Sequence, residues 1–278
     1  MPDGSARQPR AGDTGGAAVV ARNQAIPRLR SPVVLVHGLL GFDQLRPAGL
    51  PLKSYFPGIP ERLRAAGNRV LVPRVCPTGG VARRAADLKA FLDREAPNEP
   101  VHLIGHSMGG LDSRYLIARL GGAGRVLSLT TVGTPHRGTP FADWGVSRFE
   151  GLLGPVLRWL GVPLQAFHDL TTAGCAAFNR DVPDAPSVRY FSVAGRCSGP
   201  WLGLGWQLPY HIVNRAEGPN DGVVSMTSAK YGEGCEVWDG DHLNLVNWPN
   251  LGACVRGLWQ DRGGHYGGLV RRLRDEGF

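Results

Sequence analysis

A layered α/β fold, with a mostly parallel sheet flanked by helices and an inserted helical lid, is predicted by three features of the sequence. Short apolar or β-branched runs alternate with amphipathic segments between residues 33 and 132, the order that gives parallel strands joined by crossover helices. One junction carries Gly105-His106-Ser107-Met108-Gly109, a G-x-S-x-G turn between an apolar run and a helical one. The alternation then lapses over residues 139–185, where 151–160 is apolar on more than one face, as suits a cap over an apolar site.

Size and composition frame this reading. A chain of 278 residues can bury one large core, so a single domain is expected over 32–278, with the cap at about 139–185 and a tail over 1–31 that is rich in Gly, Pro, Arg and Ser. No apolar run approaches the ~18 residues of a membrane span. The formal charge is +8, yet only three of the 31 basic residues are lysines and the arginines are scattered without a block. Nucleic acid is therefore not an expected partner, while transient contact with a lipid interface is. The five cysteines are too dispersed for a zinc site and too few for a disulfide scaffold, leaving Cys197–Cys235 as the pair to test for a single bridge. Residues 1–31 contain no apolar core of a secretory signal, which by itself points to the cytoplasm.

The elements follow in order. Residues 33–36 (Val-Val-Leu-Val) read as a buried strand ending at His37-Gly38-Leu39-Leu40-Gly41. A helix is expected over 59–67, stopped by glycine, and a strand over 69–72, stopped by Pro73. In 81–95, Val81, Ala85, Leu88, Phe91 and Leu92 share one face and Arg83, Arg84, Lys89 and Asp93 the other, an amphipathic crossover helix. Strand 101–104, the serine turn and helix 111–120 come next, then a strand over 126–132. Further strands are expected at 188–193 and 235–238, and a last helix at 268–276.

The G-x-S-x-G turn matters because of its setting. With 40 glycines and twelve serines, about a quarter of a match is expected by chance, so the pentapeptide counts only between strand and helix, where it is found. A phosphate loop is the other use of such a turn, but neither G-x-x-x-x-G-K-[ST] nor a dinucleotide glycine pattern is present. A serine hydroxyl becomes a nucleophile when a histidine takes its proton and a carboxylate fixes that histidine. His242 lies in a loop just after the 235–238 strand, whereas His136 has no suitable carboxylate between it and Ser107 and reads as structural. Asp221, in the tight turn Asn220-Asp221-Gly222, is favoured as the carboxylate over Asp239 and Asp241, which adjoin the histidine too closely to orient it. The expected oxyanion donors are the backbone N–H groups of Leu39 and Met108.

These motifs together resemble the bacterial true lipases of the Pseudomonas and Burkholderia type, which have the α/β-hydrolase fold. The matching text comprises Val34-Leu35-Val36-His37-Gly38-Leu39, Gly105-His106-Ser107, residues 132–138 (Val-Gly-Thr-Pro-His-Arg-Gly), Ala176-Ala177-Phe178-Asn179, Asn220-Asp221-Gly222, Asp241-His242-Leu243 and Val246-Asn247. The resemblance implies a secreted carboxylic-ester hydrolase acting on acylglycerols through Ser107, Asp221 and His242, under a mobile apolar lid. Short-chain carboxylesterase, phospholipase, polyesterase or acyltransferase activity stands as the alternative, and a non-catalytic binding protein of this fold as the remote one. The resemblance also implies a structural calcium. Its carboxylate two residues after the histidine is here Asn244, and no Asp or Glu occurs between Asp184 and Glu217, so no metal or cofactor is expected.

Overall fold

The computed structural model describes residues 25–39, 44–45, 53–152, 165–197, 204–250, 254–255 and 259–278. Its first half contains β1 (Val33–Val36), β2 (Gln44–Leu45), β3 (Lys53–Ser54), α1 (Ile59–Ala65), β4 (Val70–Leu71), α2 (Val81–Glu95), β5 (Val101–His106), α3 (Met108–Arg119) and β6 (Val126–Val132). The second half contains α4 (Pro140–Leu152), α5 (Gln165–Asp169), α6 (Thr172–Asp181), β7 (Arg189–Arg196), α7 (Leu204–Glu217), α8 (Met226–Ala229), β8 (Cys235–Asp239) and α9 (Gly263–Asp275).

Six strands form one sheet in the order β4-β1-β5-β6-β7-β8, each neighbouring pair parallel. Parallel strands covered on both faces need apolar residues at every position, and β1 is buried throughout. Its alternate side chains serve two cores. Val33 and Leu35 join Ile104, Val132 and Val193 beneath α1 and α9, where Ile59, Leu63, Tyr266, Leu269, Val270 and Leu273 close one face. Val34 and Val36 join Leu103 and Leu129 beneath α2 and α3, where Ala85, Leu88, Leu92, Leu116 and Ile117 close the other. Truncating one of these buried leucines to alanine costs ~2–5 kcal/mol, a large share of the stability of a domain this size.

Chain order places the site. From β1 the chain steps to β4 on one side, then crosses back to β5 on the other and continues outward to β8. The crevice between β1 and β5 is thus the point where strand order reverses, and ligands of open α/β sheets lie beyond the carboxyl ends of strands at such a point. The register pairs Val36 with Gly105, so the turn after β1 lies beside Ser107.

Three expectations need correction. The tail does not extend to residue 31, because Leu29 is buried, its N–H donates to Asn68 Oδ1 at 2.9 Å, and Ile26 packs on the core, while 1–24 lie outside the described residues. The cysteines are all free, including Cys197 and Cys235. Arg196 pairs with Asp239 and Ser192 with Cys235, so those two thiols lie at opposite ends of adjacent strands, about 16 Å apart at ~3.3 Å per residue. The last helix begins at Gly263, five residues before its expected start, despite four glycines in its first half. Among the described residues no helix is long and apolar enough to cross a membrane.

Helices α4, α5 and α6 fill the interval between β6 and β7 where a cap was expected, and the most apolar part of that interval, 153–164, lies outside the described residues. Ala142, Ala166, Leu170, Cys175 and Phe178 of this region pack with Leu39, Met108 and Leu111.

Candidate active site

The turn between β5 and α3 forces Ser107 into a conformation few side chains adopt, φ 54° and ψ −129°. Its N–H donates to Val132 O at 2.9 Å, and Thr134 Oγ1 donates to its carbonyl oxygen at 2.8 Å, so neighbouring β6 holds the strained residue. The flanking glycines are required by close approach. An added Cβ at Gly105 would lie 2.7 Å from Gly109 O, and one at Gly109 only 2.5 Å from Val36 O. Helix α3 therefore begins tight against the end of β1, and the serine hydroxyl stands above the sheet edge.

Over it passes the turn after β1. A Cβ at Gly38 would sit 2.7 Å from Ser107 Cβ, so glycine is what lets this backbone cross the serine. The Gly38 N–H is occupied, donating to Tyr55 Oη at 3.1 Å. Leu39 follows, half-buried, and Met108 opens α3, where the first N–H groups of a helix have no intrahelical acceptor. The expected donors thus flank Ser107; Leu40 and Gly41 lie outside the described residues.

Asp221, in the turn after α7, and His242, in the loop after β8, come together. The Asp221 turn is closed by Gly222 N–H donating to Asn220 Oδ1 at 2.8 Å. Asp221 Oδ1 accepts the N–H groups of Val223 and Val224 at 3.1 and 2.8 Å, which leaves Oδ2 for His242 Nδ1 at 2.7 Å. The His242 N–H donates in turn to Asp221 O at 2.8 Å, so backbone as well as side chain fixes the pair. Gly133 and Gly195 make room, since a Cβ on the first would come 3.1 Å from Asp221 Oδ2 and on the second 2.6 Å from Asp221 Cβ.

His106 connects the pair to the serine turn. Its Nε2 lies 3.0 Å from His242 O and its Nδ1 2.8 Å from Tyr55 Oη, and its ring is 4.6 Å from that of His242. A carbonyl only accepts, so Nε2 carries the hydrogen, and Nδ1 then accepts from Tyr55. Burial, reinforced by His242, holds the His106 imidazole well below its usual pKa, and burial pushes the Tyr55 hydroxyl up to about 12. Among the described residues no hydrogen bond joins Ser107 Oγ to His242; such bonds are often long without substrate.

The other residues weighed from sequence are engaged elsewhere. His136 is buried, bonded to Thr131 Oγ1 at 3.0 Å and stacked on Tyr231. The Asp239 carboxylate faces Arg196 at 2.7 Å in solvent. Asp241 accepts Leu243 and Asn244 N–H groups and Asn250 Nδ2, shaping the loop rather than the imidazole.

Sequence reasoning passed over four contributors. Tyr55 and Arg262 carry no local signal, their partners being distant in the chain, and His106 was legible only as part of the Gly105-His106-Ser107 motif, without its partners Tyr55 and His242. Arg84, assigned to the polar face of its helix, is fully buried and pairs with buried Asp112 at 2.8 Å, and its Nη2 donates to His37 O at 2.6 Å, holding the turn that covers Ser107. Its spacing from Val81 and Leu88 was a legible sign, for the three stand one helical turn apart.

Comparison with known proteins identifies the fold and the family. Residues 31–154 match the α/β-hydrolase fold family. The chain is 33% identical to triacylglycerol lipase 2 of Saccharomyces cerevisiae, over 80% of this chain and 81% of that one. It is 34% identical to a triacylglycerol lipase of Burkholderia plantarii, over 77% of this chain and 64% of that one. Among solved structures, the mature Bacillus licheniformis lipase BlEst2 superposes with a TM-score of 0.63 at 25% identity, covering 84% of this chain and 91% of its own. A serine turn at the switch point of a parallel sheet, with relatives of this identity across four-fifths of the chain, means that the chain belongs to the lipase family of the α/β-hydrolases, the serine carboxylic-ester hydrolases.

Proposed function

We propose that the chain hydrolyses acylglycerols through Ser107, His242 and Asp221. The observation that carries the reading is the 2.7 Å bond from His242 Nδ1 to Asp221 Oδ2 at the same sheet edge as the strained Ser107. A carboxylate accepting at Nδ1 fixes the hydrogen there and leaves Nε2 as the base. Ser107 Oγ attacks the ester carbonyl carbon while its proton passes to Nε2, and the carbonyl π-electrons move to an oxyanion held by the Leu39 and Met108 N–H groups. The C–O bond to the alcohol then breaks, the alcohol leaves with the proton from His242, and the acyl group stays on Ser107. Water, deprotonated by His242, repeats the sequence and releases the acid.

The substrate class is inferred from two supports. The relatives are named triacylglycerol lipases. Helices α4 to α6 also bring apolar side chains against Leu39 and Met108, a cover suited to a medium or long acyl chain that would meet its substrate at a lipid interface. Initial rates on p-nitrophenyl esters from acetyl to palmitoyl, for the wild type and Ser107→Ala, test the reading. The variant is expected to lose roughly 10⁴–10⁶ in kcat with its fold intact, and wild-type rates are expected to rise toward the longer chains. Turnover retained by Ser107→Ala would refute the nucleophile; rates confined to acetyl and butyryl esters would refute the acylglycerol assignment.

A further inference from the structure

The loop carrying His242 is tied at both ends by one side chain from outside it. Arg262, which precedes α9, is 1% exposed. Its Nη2 donates to the carbonyl oxygen of Asp239, the last residue of β8, and Nε and Nη2 donate to Asn244 Oδ1 at 3.1 and 2.6 Å. Its backbone N–H donates to Asn247 Oδ1 at 2.8 Å, and Nη1 lies 3.2 Å from His265 Nε2. His242 stands three residues after the first anchor and two before the second. An added Cβ at Gly240 would be 2.5 Å from Nη2, so this glycine leaves the space that the guanidinium fills.

The same residues do not fit the calcium ion that the family resemblance implies. Calcium needs about six to eight oxygen ligands, with carboxylate charge among them. Here the Asp239 carboxylate turns out to Arg196, and Asp241 spends its oxygens on Leu243 N–H, Asn244 N–H and Asn250 Nδ2. The remaining oxygens, Asn244 Oδ1 and Asp239 O, already accept from a guanidinium whose charge would repel a second cation.

We propose that Arg262 is a built-in cation that positions the His242 loop, so that hydrolysis proceeds without a divalent metal ion. The inference rests on His242 being the general base. A planar fork spans both ends of the loop at once, which a lysine ammonium on a flexible stem does not. Displacing a base by ~1 Å costs ~10²-fold in rate, so the guanidinium acts through kcat, not through substrate binding.

The test compares wild type in chelator and in calcium chloride with Arg262→Lys, Arg262→Ala, and Arg262→Ala in millimolar guanidinium chloride, reading Tm, kcat and KM. Wild-type Tm and kcat are expected to ignore both chelator and calcium. Arg262→Ala is expected to lose ~10–100-fold in kcat with KM within ~3-fold, Arg262→Lys to fall between, and guanidinium to restore kcat several-fold in Arg262→Ala but not in Ser107→Ala. If Arg262→Ala does not fold, Asn244→Ala and Arg262→Lys carry the comparison, with kcat expected at least ~3-fold below wild type and KM little changed in both. A wild type that loses Tm or kcat to chelator and regains it with calcium overturns the proposal, as do folded variants within ~2-fold of wild-type kcat. Labelling of wild-type Ser107 by a fluorophosphonate separates the two inferences: without it the Ser107–His242 reading fails first, and with it the Arg262 outcome stands alone.

Discussion

Ser107 and His242 come from opposite halves of the sequence, and the residue that registers one against the other is the histidine inside the serine turn. His106 Nε2–H holds His242 O, and its Nδ1 takes the Tyr55 hydroxyl hydrogen, whose oxygen takes Gly38 N–H. One chain of hydrogen bonds therefore runs from the turn over Ser107 to the backbone of the proposed base. Tyr55→Phe would leave Gly38 N–H and His106 Nδ1 buried without that partner, at ~1–3 kcal/mol for each group. The variant is expected to lose roughly 5 °C or more in Tm and about tenfold in kcat, with KM little changed, because the effect is on alignment. Thermal unfolding and steady-state kinetics read both, and wild-type kcat in Tyr55→Phe would show that the chain does not align the site. Ser107, Asp221, His242, Leu39 and Met108 could be nominated from sequence because each lies in or beside a turn that carries a short motif. Tyr55 and Arg262 could not, since their partners are 17 to 51 residues away for Tyr55 and, for the Arg262 side chain beyond His265, 18 and 23 residues away.

At the scale of elements, helices α2 and α3 meet through a buried ion pair. Arg84 and Asp112 are 2.8 Å apart with both side chains 0% exposed, and Arg84 also donates to His37 O and Cys76 O. Burial pushes the Asp112 carboxyl up to about 7 against the opposing pull of Arg84. At pH ~8, where Asp112 is ionised, Asp112→Asn leaves the guanidinium charged and uncompensated, and is expected to cost ~3–5 kcal/mol. The double variant Arg84→Met/Asp112→Leu removes both charges and is expected to be more stable than Asp112→Asn, yet to keep a depressed kcat because the guanidinium no longer holds His37 O. Denaturant unfolding beside kinetics separates the two roles; a double variant as unstable as the single would mean that the pair itself stabilises the interface. Strong local patterns made several elements legible: helix 81–95 and strand 126–132 fall as the sequence predicted. Helix Leu204–Glu217 was not legible despite the Gly218-Pro219 stop that follows it, since Pro209 lies inside it. Helix Gly263–Asp275 was read short because its glycines disfavour helix, a preference overridden by burial of Tyr266, Leu269, Val270 and Leu273.

For the whole molecule, the consequence of this packing is a stability that depends on imidazoles remaining neutral. Burial lowers the pKa of His102 to about 4, and lowers those of His106 and His136 well below the ordinary value. In the unfolded chain all three return to ~6.5. The unfolded state therefore binds more protons as the pH falls below 6.5, and stability that is complete above that value is lost on the way down to the folded pKa. His102 alone accounts for about 3 kcal/mol over this window. Asp112 works in the opposite sense: its raised pKa makes the folded state the stronger proton binder between ~4 and 7, offsetting about one of the three histidines. A net difference near two protons gives a slope of roughly 3 kcal/mol per pH unit in the steepest part of the transition. The charge of +8 at pH 7 rises as carboxylates and histidines take up protons, so self-repulsion adds to the loss. The expected result is a Tm nearly level from pH 8 to 7 that drops steeply between pH 6.5 and 4.5. His102→Gln should flatten the slope by about one proton, or ~1.4 kcal/mol per pH unit, because glutamine does not titrate. A wild-type Tm that stays level down to pH 5, or a His102→Gln variant with the wild-type slope, would mean that these imidazoles accept protons within the folded protein and that acid acts on it through other groups.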